Sequence, residues 1–181
     1  MKEIDYLNNA AQKTRNAYNE GVKKLQMAEL EESRKLLLEI LKENSEFVPC
    51  YNKLAIIRLY EENYSEAENY LKKALGIDPD YVPAITNLGS VHKKRGDLNK
   101  ARQYYQKAIK INPDYGPAYN NLGVIYREEG NYRESIRNLK RASRLGKSPR
   151  PRKSSDKSFY QSPGFLLAVI VLIVIIFLLS R

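Results

Sequence analysis

Small and apolar side chains are spaced three or four residues apart in consecutive segments of the chain, which is the period of one helix face. Two neighbouring segments show this spacing most clearly, at Ile85, Leu88, Gly89 and His92 and at Leu98, Ala101, Tyr105 and Ala108. Gly96 and Asp97 favour a turn between them, and Pro113 ends the second segment because proline lacks an amide and clashes with the preceding turn. The pattern predicts two amphipathic helices joined as a hairpin.

The same pattern returns with a period of 34 residues. Matching residues at this separation include Pro79 and Pro113, Asp80 and Asp114, Asn87 and Asn121, Leu88 and Leu122, and Gly89 and Gly123. One hairpin cannot bury its apolar face alone, so neighbouring hairpins must stack into one domain. The period therefore predicts a domain over residues 1–147, with repeats at about 14–47, 48–81, 82–115 and 116–149.

The positions that recur carry a family resemblance. They are Asn87, Leu88, Gly89, Gly96, Ala101, Tyr105, Ala108 and Pro113, most of which return at Asn121, Leu122, Gly123, Gly130 and Ala142. This set resembles the tetratricopeptide repeat (TPR). The resemblance implies an all-α solenoid of about four helix hairpins, and it says little about function because these residues pack the hairpins.

The two ends of the repeat region are less regular. The first copy has Glu20 and Ala28 where the family pattern has leucine and glycine, and the fourth has Lys147 where the pattern has proline. Residues 2–13 place Ile4, Leu7 and Ala11 on one helical face. We expect this segment to extend the first helix and to cap the N-terminal end.

The last part of the chain has a different composition. Residues 148–162 are rich in Pro, Ser and basic side chains and predict a linker, whereas residues 163–180 are almost entirely apolar. A solenoid offers no cavity for a helix that is apolar all round, so the second segment predicts one transmembrane helix rather than a buried one. Four basic residues precede this segment and one follows it: Arg150, Arg152, Lys153, Lys157 and Arg181. By the positive-inside rule, this asymmetry predicts a single-pass, tail-anchored protein with a cytoplasmic repeat domain.

Charge is unevenly distributed along the chain. Residues 1–80 carry 12 basic and 15 acidic side chains, residues 81–147 carry 14 and 5, and residues 148–181 carry 5 and 1. The basic half therefore lies beside the predicted membrane segment. This position favours anionic lipid or an acidic protein as partner and leaves nucleic acid as a minor alternative.

Residues for catalysis are scarce. The chain has one His and one Cys, no phosphate-binding glycine loop, and no cluster with metal-ligand spacing. His92 lies at a repeat packing position, and Cys50 is expected to be a small buried side chain. We therefore expect neither enzymatic activity nor a cofactor or metal.

The resemblance implies that a partner binds along the concave groove formed by the first helix of each hairpin. The groove residues proposed on this basis are Asn52, Asn87, Ser90, Lys93, Lys94, Asn120, Asn121 and Arg127. Asn87 and Asn121 resemble the asparagine ladder by which some TPR proteins hold an extended, here acidic, peptide; alternatively, these amides only begin a helix turn and face water. The carboxylate clamp of other TPR proteins is not expected, because it requires basic side chains at these positions.

Two function classes remain open at this stage. The first is a membrane-anchored adaptor that binds a protein or peptide in its groove. The second is a structural subunit of a membrane assembly that forms oligomers through its terminal hairpin or its transmembrane helix, where Gly164 and Ala168 supply a small-residue face.

Overall fold

The computed structural model describes residues 2–146. This part of the chain is all-helical and contains no strand. Its helices are α1 (Lys2–Asn9), α2 (Gln12–Gln26), α3 (Leu30–Glu43), α4 (Val48–Tyr60), α5 (Tyr64–Ile77), α6 (Val82–Lys94), α7 (Leu98–Ile111), α8 (Gly116–Glu128) and α9 (Tyr132–Gly146). From α2 onwards the helices pack as four successive hairpins, and the second helix of each of the first three hairpins also packs against the first helix of the next. An all-helical TPR-like solenoid is confirmed.

Local sequence explains where the helices begin and turn. Pro49, Pro83 and Pro117 lie in the first turns of α4, α6 and α8. Proline has no backbone N–H, and in the first turn this costs nothing because no helix carbonyl is there to accept a hydrogen bond from it. The side chains of Asn63 and Asp97 cap α5 and α7 by accepting hydrogen bonds from the backbone three residues on. These prolines and capping side chains therefore fix where the hairpin helices begin.

The two helices of a hairpin approach most closely at a glycine. A Cβ atom added to Gly89 on α6 would lie 2.5 Å from Cε1 of Tyr105 on α7, and Tyr105 is itself buried. Gly123 stands in the same relation to Leu139, with 2.9 Å from an added Cβ to Cγ. The recurring glycine therefore sets the spacing between first and second helices.

Ion pairs join neighbouring hairpins at one recurring pair of positions, 27 residues apart. The pairs are Arg34 with Glu61, Arg95 with Glu68, and Arg102 with Glu129. In each case the second helix of one hairpin contacts the turn of the next. In the middle pair the second helix carries the acidic residue and the turn carries the basic one, which is the reverse of the outer pairs. Stacking shifted by one repeat would therefore bring like charges together, so these contacts favour the native neighbours.

The N-terminal segment differs from the prediction. Residues 2–13 do not extend the first helix, because α1 ends at Asn9 and α2 begins only at Gln12. Ala11, at the start of α2, has an extended ψ of 150° and separates the two helices. The isolated α1 packs against α4 and buries parts of Tyr6 and Leu7 among the side chains of the first two hairpins.

Within residues 2–146, no helix combines the length and the apolar character needed to cross a bilayer. The predicted linker at 148–162 and the predicted transmembrane helix at 163–180 lie outside the described residues. The same holds for the four basic residues that precede the predicted transmembrane helix and are expected at the membrane interface, namely Arg150, Arg152, Lys153 and Lys157.

Candidate protein-binding groove

The first helices of the hairpins form one continuous surface. In sequence order, α2 contacts α4, α4 contacts α6 and α6 contacts α8, whereas no contact of similar extent joins the second helices in the described part of the chain. The array therefore curves towards its first helices. We call the surface that α2, α4, α6 and α8 form the groove.

Polar side chains in the groove are hydrogen-bonded to one another from helix to helix. Asn87 Nδ2 donates to Asn52 Oδ1 at 2.8 Å, and Asn121 Nδ2 donates to Ser90 Oγ at 3.5 Å. Ser90 Oγ also lies 3.3 Å from the hydroxyl of buried Tyr105. The structure thus brings these predicted groove residues together into a line that crosses three first helices.

Asn52 was predicted to line the groove, but it is only 2% exposed. A step of 34 residues back from Asn87 leads to Lys53, so Asn52 does not continue the series of Asn87 and Asn121. Asn87 is half-buried because it binds Asn52. Replacing Asn87 by alanine would leave a buried amide oxygen without its donor, at a cost of about 1–3 kcal/mol in folding stability.

The cations of the groove differ in how far they are already paired. Lys93 Nζ lies 2.9 Å from a carboxylate oxygen of Glu128, so its charge is largely satisfied. Lys94 and Arg127 are exposed, and neither makes an ion pair within residues 2–146. Asn120 is also exposed at the start of the last first helix. The unpaired charges available to an acidic ligand are therefore at Lys94 and Arg127.

Other reactive side chains have structural surroundings. The ring of His92 stacks on Tyr104, with centroids 5.3 Å apart and an interplanar angle of 13°. Burial raises the pKa of Cys50 well above its ordinary value, which keeps the thiol neutral and a poor nucleophile. Among the described residues, no three His, Cys, Asp or Glu side chains are placed to share a metal ion.

One part of the groove was missed in the sequence. Near its N-terminal end the α1 residue Glu3 contacts both Tyr18 of α2 and Lys53 of α4. The repeat period gave a signal for Lys53, since this lysine is the counterpart of Asn87 and Asn121 one and two repeats on. No local pattern indicated that residues before the first hairpin would fold back onto it.

Comparison with protein families gives two matches. A model described as tetratricopeptide repeat matches residues 58–122, and a model described as Est1 DNA/RNA binding domain matches residues 101–152. No curated protein matches the chain by sequence.

Solved structures share the architecture. A thermophilic TPR protein of Thermus thermophilus, TTC0263, superposes with a TM-score of 0.67 at 22% identity, and the match covers 84% of each chain. The protein MamA gives a TM-score of 0.58 at 20% identity, over 79% of this chain and 84% of MamA. MamA from residue 41 to its end, from Desulfovibrio magneticus RS-1, gives 0.57 at 16% identity, over 73% of this chain and 75% of that one. At these identities the likeness to solved structures concerns the fold alone, and the tetratricopeptide-repeat model matches the middle of the chain, residues 58–122.

Proposed function

We propose that this chain is a non-enzymatic, membrane-anchored adaptor that binds an extended protein segment in its groove at the cytoplasmic face of the membrane. The observation that carries the proposal is the line of polar side chains across α4, α6 and α8, flanked by unpaired cations. A TPR-like fold is a scaffold suited to protein interaction. Its repeats offer a long surface built from equivalent positions.

The groove has hydrogen-bonding capacity left for a peptide. Asn87 and Asn121 each donate once to a neighbour, and within the described residues their side-chain oxygens accept no hydrogen bond. Each oxygen is therefore available to a peptide N–H. Lys94 and Arg127 add a preference for acidic side chains. Such contacts contribute about 0.5–1.5 kcal/mol each, and those that involve the exposed cations weaken with salt.

Membrane attachment is proposed from the sequence alone. Residues 163–180 contain fifteen consecutive apolar residues from Phe165 to Leu179. Fourteen of them are Leu, Ile, Val or Phe, and at about −0.3 to −0.6 kcal/mol for each of these fourteen, insertion is favoured by roughly 4–8 kcal/mol. The basic excess of residues 81–147 would add attraction to anionic head groups of at most about 1 kcal/mol per nearby charge.

Site-specific photocrosslinking in native membranes tests the groove and identifies the partner. One variant carries the crosslinking residue in place of Lys94 in the groove, and the matched control carries it in place of Gln103, which is exposed on the second helix α7. We expect a discrete protein adduct from the groove position and none of the same mass from the control. The same adduct at equal yield from both positions would contradict groove binding.

A second function is favoured by a separate observation at the C-terminal end of the repeats. Ile136 of α9 is 54% exposed and occupies the position that Arg34, Glu68 and Arg102 use to pair with the next hairpin. Tyr132, one turn earlier, is 66% exposed. An apolar end surface suits a structural subunit that associates with a second copy of itself. Replacing Ile136 by lysine should then reduce the mass of the detergent-solubilised particle by light scattering, and an unchanged mass would exclude this role for α9.

A further inference from the structure

One carboxylate lies between groups from the first two hairpins, at the start of the groove. Glu3 of α1 accepts a hydrogen bond of 2.5 Å from the hydroxyl of Tyr18, and the same oxygen lies 3.1 Å from Lys53 Nζ. Tyr18 is 1% exposed, so its hydroxyl needs a protein partner. Burial and then the negative charge of Glu3 raise the pKa of Tyr18, and in the same way they raise the pKa of Tyr115 to about 12. These groups form a binding site for a carboxylate.

An aromatic ring occupies the adjoining position. Tyr6, three residues after Glu3, packs edge-on against Phe47 and against Tyr81, with both pairs of ring centroids 6.1 Å apart. Phe47 and Tyr81 are buried, so Tyr6 inserts between the ends of two hairpins. The hydroxyl of Tyr81 is buried and has no hydrogen-bond partner among the described residues, which leaves one polar group in the site unsatisfied. We call the surface that Tyr18, Phe47, Lys53 and Tyr81 form the α1 site.

The helix that fills the α1 site is held by few side chains. α1 has eight residues, and isolated helices shorter than about 12–15 residues are marginal in water. Ile4 is 60% exposed, and Asp5, Asn8 and Asn9 also face solvent. Among the described side chains, Glu3, Tyr6 and part of Leu7 anchor the helix. We expect its release to be a local unfolding event that leaves the hairpins intact.

The α1 site continues beyond what these α1 side chains fill. A cavity of about 280 Å³ adjoins Glu3 and is lined mainly by the start of α6, the end of α7 and the start of α8. Of residues 3–9, only Glu3 lines it; the other lining side chains include Val82, Pro83, Ile111 and Tyr115. A ligand that places an apolar side chain in this cavity gains contacts that α1 residues 3–9 do not make.

We propose that the α1 site is a docking site for a partner helix that carries a carboxylate and an aromatic ring three residues apart, and that α1 occupies this site until such a helix displaces it. The contacts of Glu3 and Tyr6 define the chemistry that the site accepts, and the adjoining cavity gives a partner its advantage. The inference rests on the proposed function, because it assigns a ligand class and a competing segment to the N-terminal end of the groove.

A binding assay with the full chain in mild detergent tests the proposal. The probe is a fluorescent synthetic peptide of residues 2–11, and the proteins are the parent chain, an opened variant with Glu3→Ala and Tyr6→Ala, and a control with Ile4→Ala and Asn8→Ala on the exposed face of α1. We expect the opened variant to bind the peptide at least about tenfold more tightly than the parent and the control, because docked α1 competes in the same molecule at a high effective concentration. A peptide with the Glu3→Ala and Tyr6→Ala changes should not bind.

Two further results make the outcome decisive. Adding Lys53→Ala to the opened variant should weaken peptide binding several-fold, since the carboxylate loses its ion pair, while far-UV circular dichroism should show the same helicity. Equal peptide affinity of the parent and the opened variant, or equal binding of both peptides, would overturn the proposal. Because this assay contains no natural partner, its failure leaves the photocrosslinking result at Lys94 standing, and a failed crosslink leaves this result standing.

Discussion

A methyl group added at Gly89 tests the close approach of the helices within a hairpin. The new Cβ would lie 2.5 Å from Cε1 and 2.8 Å from Cδ1 of Tyr105, distances at which the ring must move. Tyr105 is 1% exposed and its hydroxyl lies near Ser90 Oγ, so the ring has little free space to enter. Gly76 supplies the matched control, because it is also helical and no atom lies within 4 Å of its added Cβ.

The expected magnitude follows from two opposing terms. Alanine is favoured over glycine in a helix by about 0.5–1 kcal/mol, and this gain applies at both sites. Overpacking a buried site costs about 1–3 kcal/mol, and this cost applies at Gly89 alone. Gly76→Ala should therefore stabilise the protein slightly. Gly89→Ala should be less stable than Gly76→Ala by about 1–3 kcal/mol, and the difference measures the close approach because the propensity term cancels.

Thermal and urea unfolding of the full chain, followed by far-UV circular dichroism in one detergent, gives this difference. For a repeat domain of this size, each kcal/mol shifts the melting temperature by roughly 2–8 °C. Gly123→Ala, which would bring a Cβ to 2.9 Å from Cγ of Leu139, should also be less stable than Gly76→Ala. If Gly89→Ala is as stable as Gly76→Ala, the glycine does not set the helix spacing and the packing argument fails.

Three other outcomes are expected. Glu68→Arg or Arg95→Glu alone should lower the melting temperature. The double exchange should recover part of the loss, because it recreates the pair with the sign order of the neighbouring hairpins but leaves Lys72 beside a second cation; absence of recovery would show that the pair is not coupled. Hydrogen bonds from Lys72 and then Arg95 lower the pKa of Glu68 to about 2 from 4.5, so its carboxylate adds stability above about pH 4.5 that is lost as the pH falls towards 2. The stability difference between the parent and Glu68→Gln should shrink across that range, and a constant difference would contradict this assignment. Deleting residues 163–180 should release the chain from membranes after a high-salt wash, and sedimentation of the truncated chain with membranes would refute the anchor.

The hairpins could be predicted because their signals are local and periodic. Gly89 recurs as Gly123 and Ala108 recurs as Ala74 and Ala142. The same spacing decides both the helix face and the packing contact. The ion pairs were not predicted, because the partners are 27 residues apart and belong to different hairpins with signs that alternate. Because the charge at each of these positions changes sign from one repeat to the next, the 34-residue period does not reveal the pairs.

The binding surface was only partly accessible from the sequence. The 34-residue step placed Asn87 and Asn121 on equivalent positions, but it could not show that Asn87 is held by buried Asn52. The position of α1 could not be predicted from the sequence for a similar reason. Ile4, Leu7 and Ala11 have helical spacing whether or not the helix breaks, and the fold-back depends on contacts made to Tyr18 and Lys53 from a separate segment.

The affinity of the purified, photocrosslink-identified partner for two matched double variants tests the central claim most directly. The groove variant combines Lys94→Ala with Asn121→Ala, and the control combines Asn99→Ala with Lys107→Ala on the exposed face of α7; each removes one lysine and one asparagine. Neither touches the Asn87 to Asn52 hydrogen bond, so both should keep the parent's helicity. Two contacts of about 1 kcal/mol each predict a loss of several-fold to roughly thirtyfold for the groove variant and none for the control. Parent-like affinity of the groove variant would contradict the claim that the partner is held in the groove.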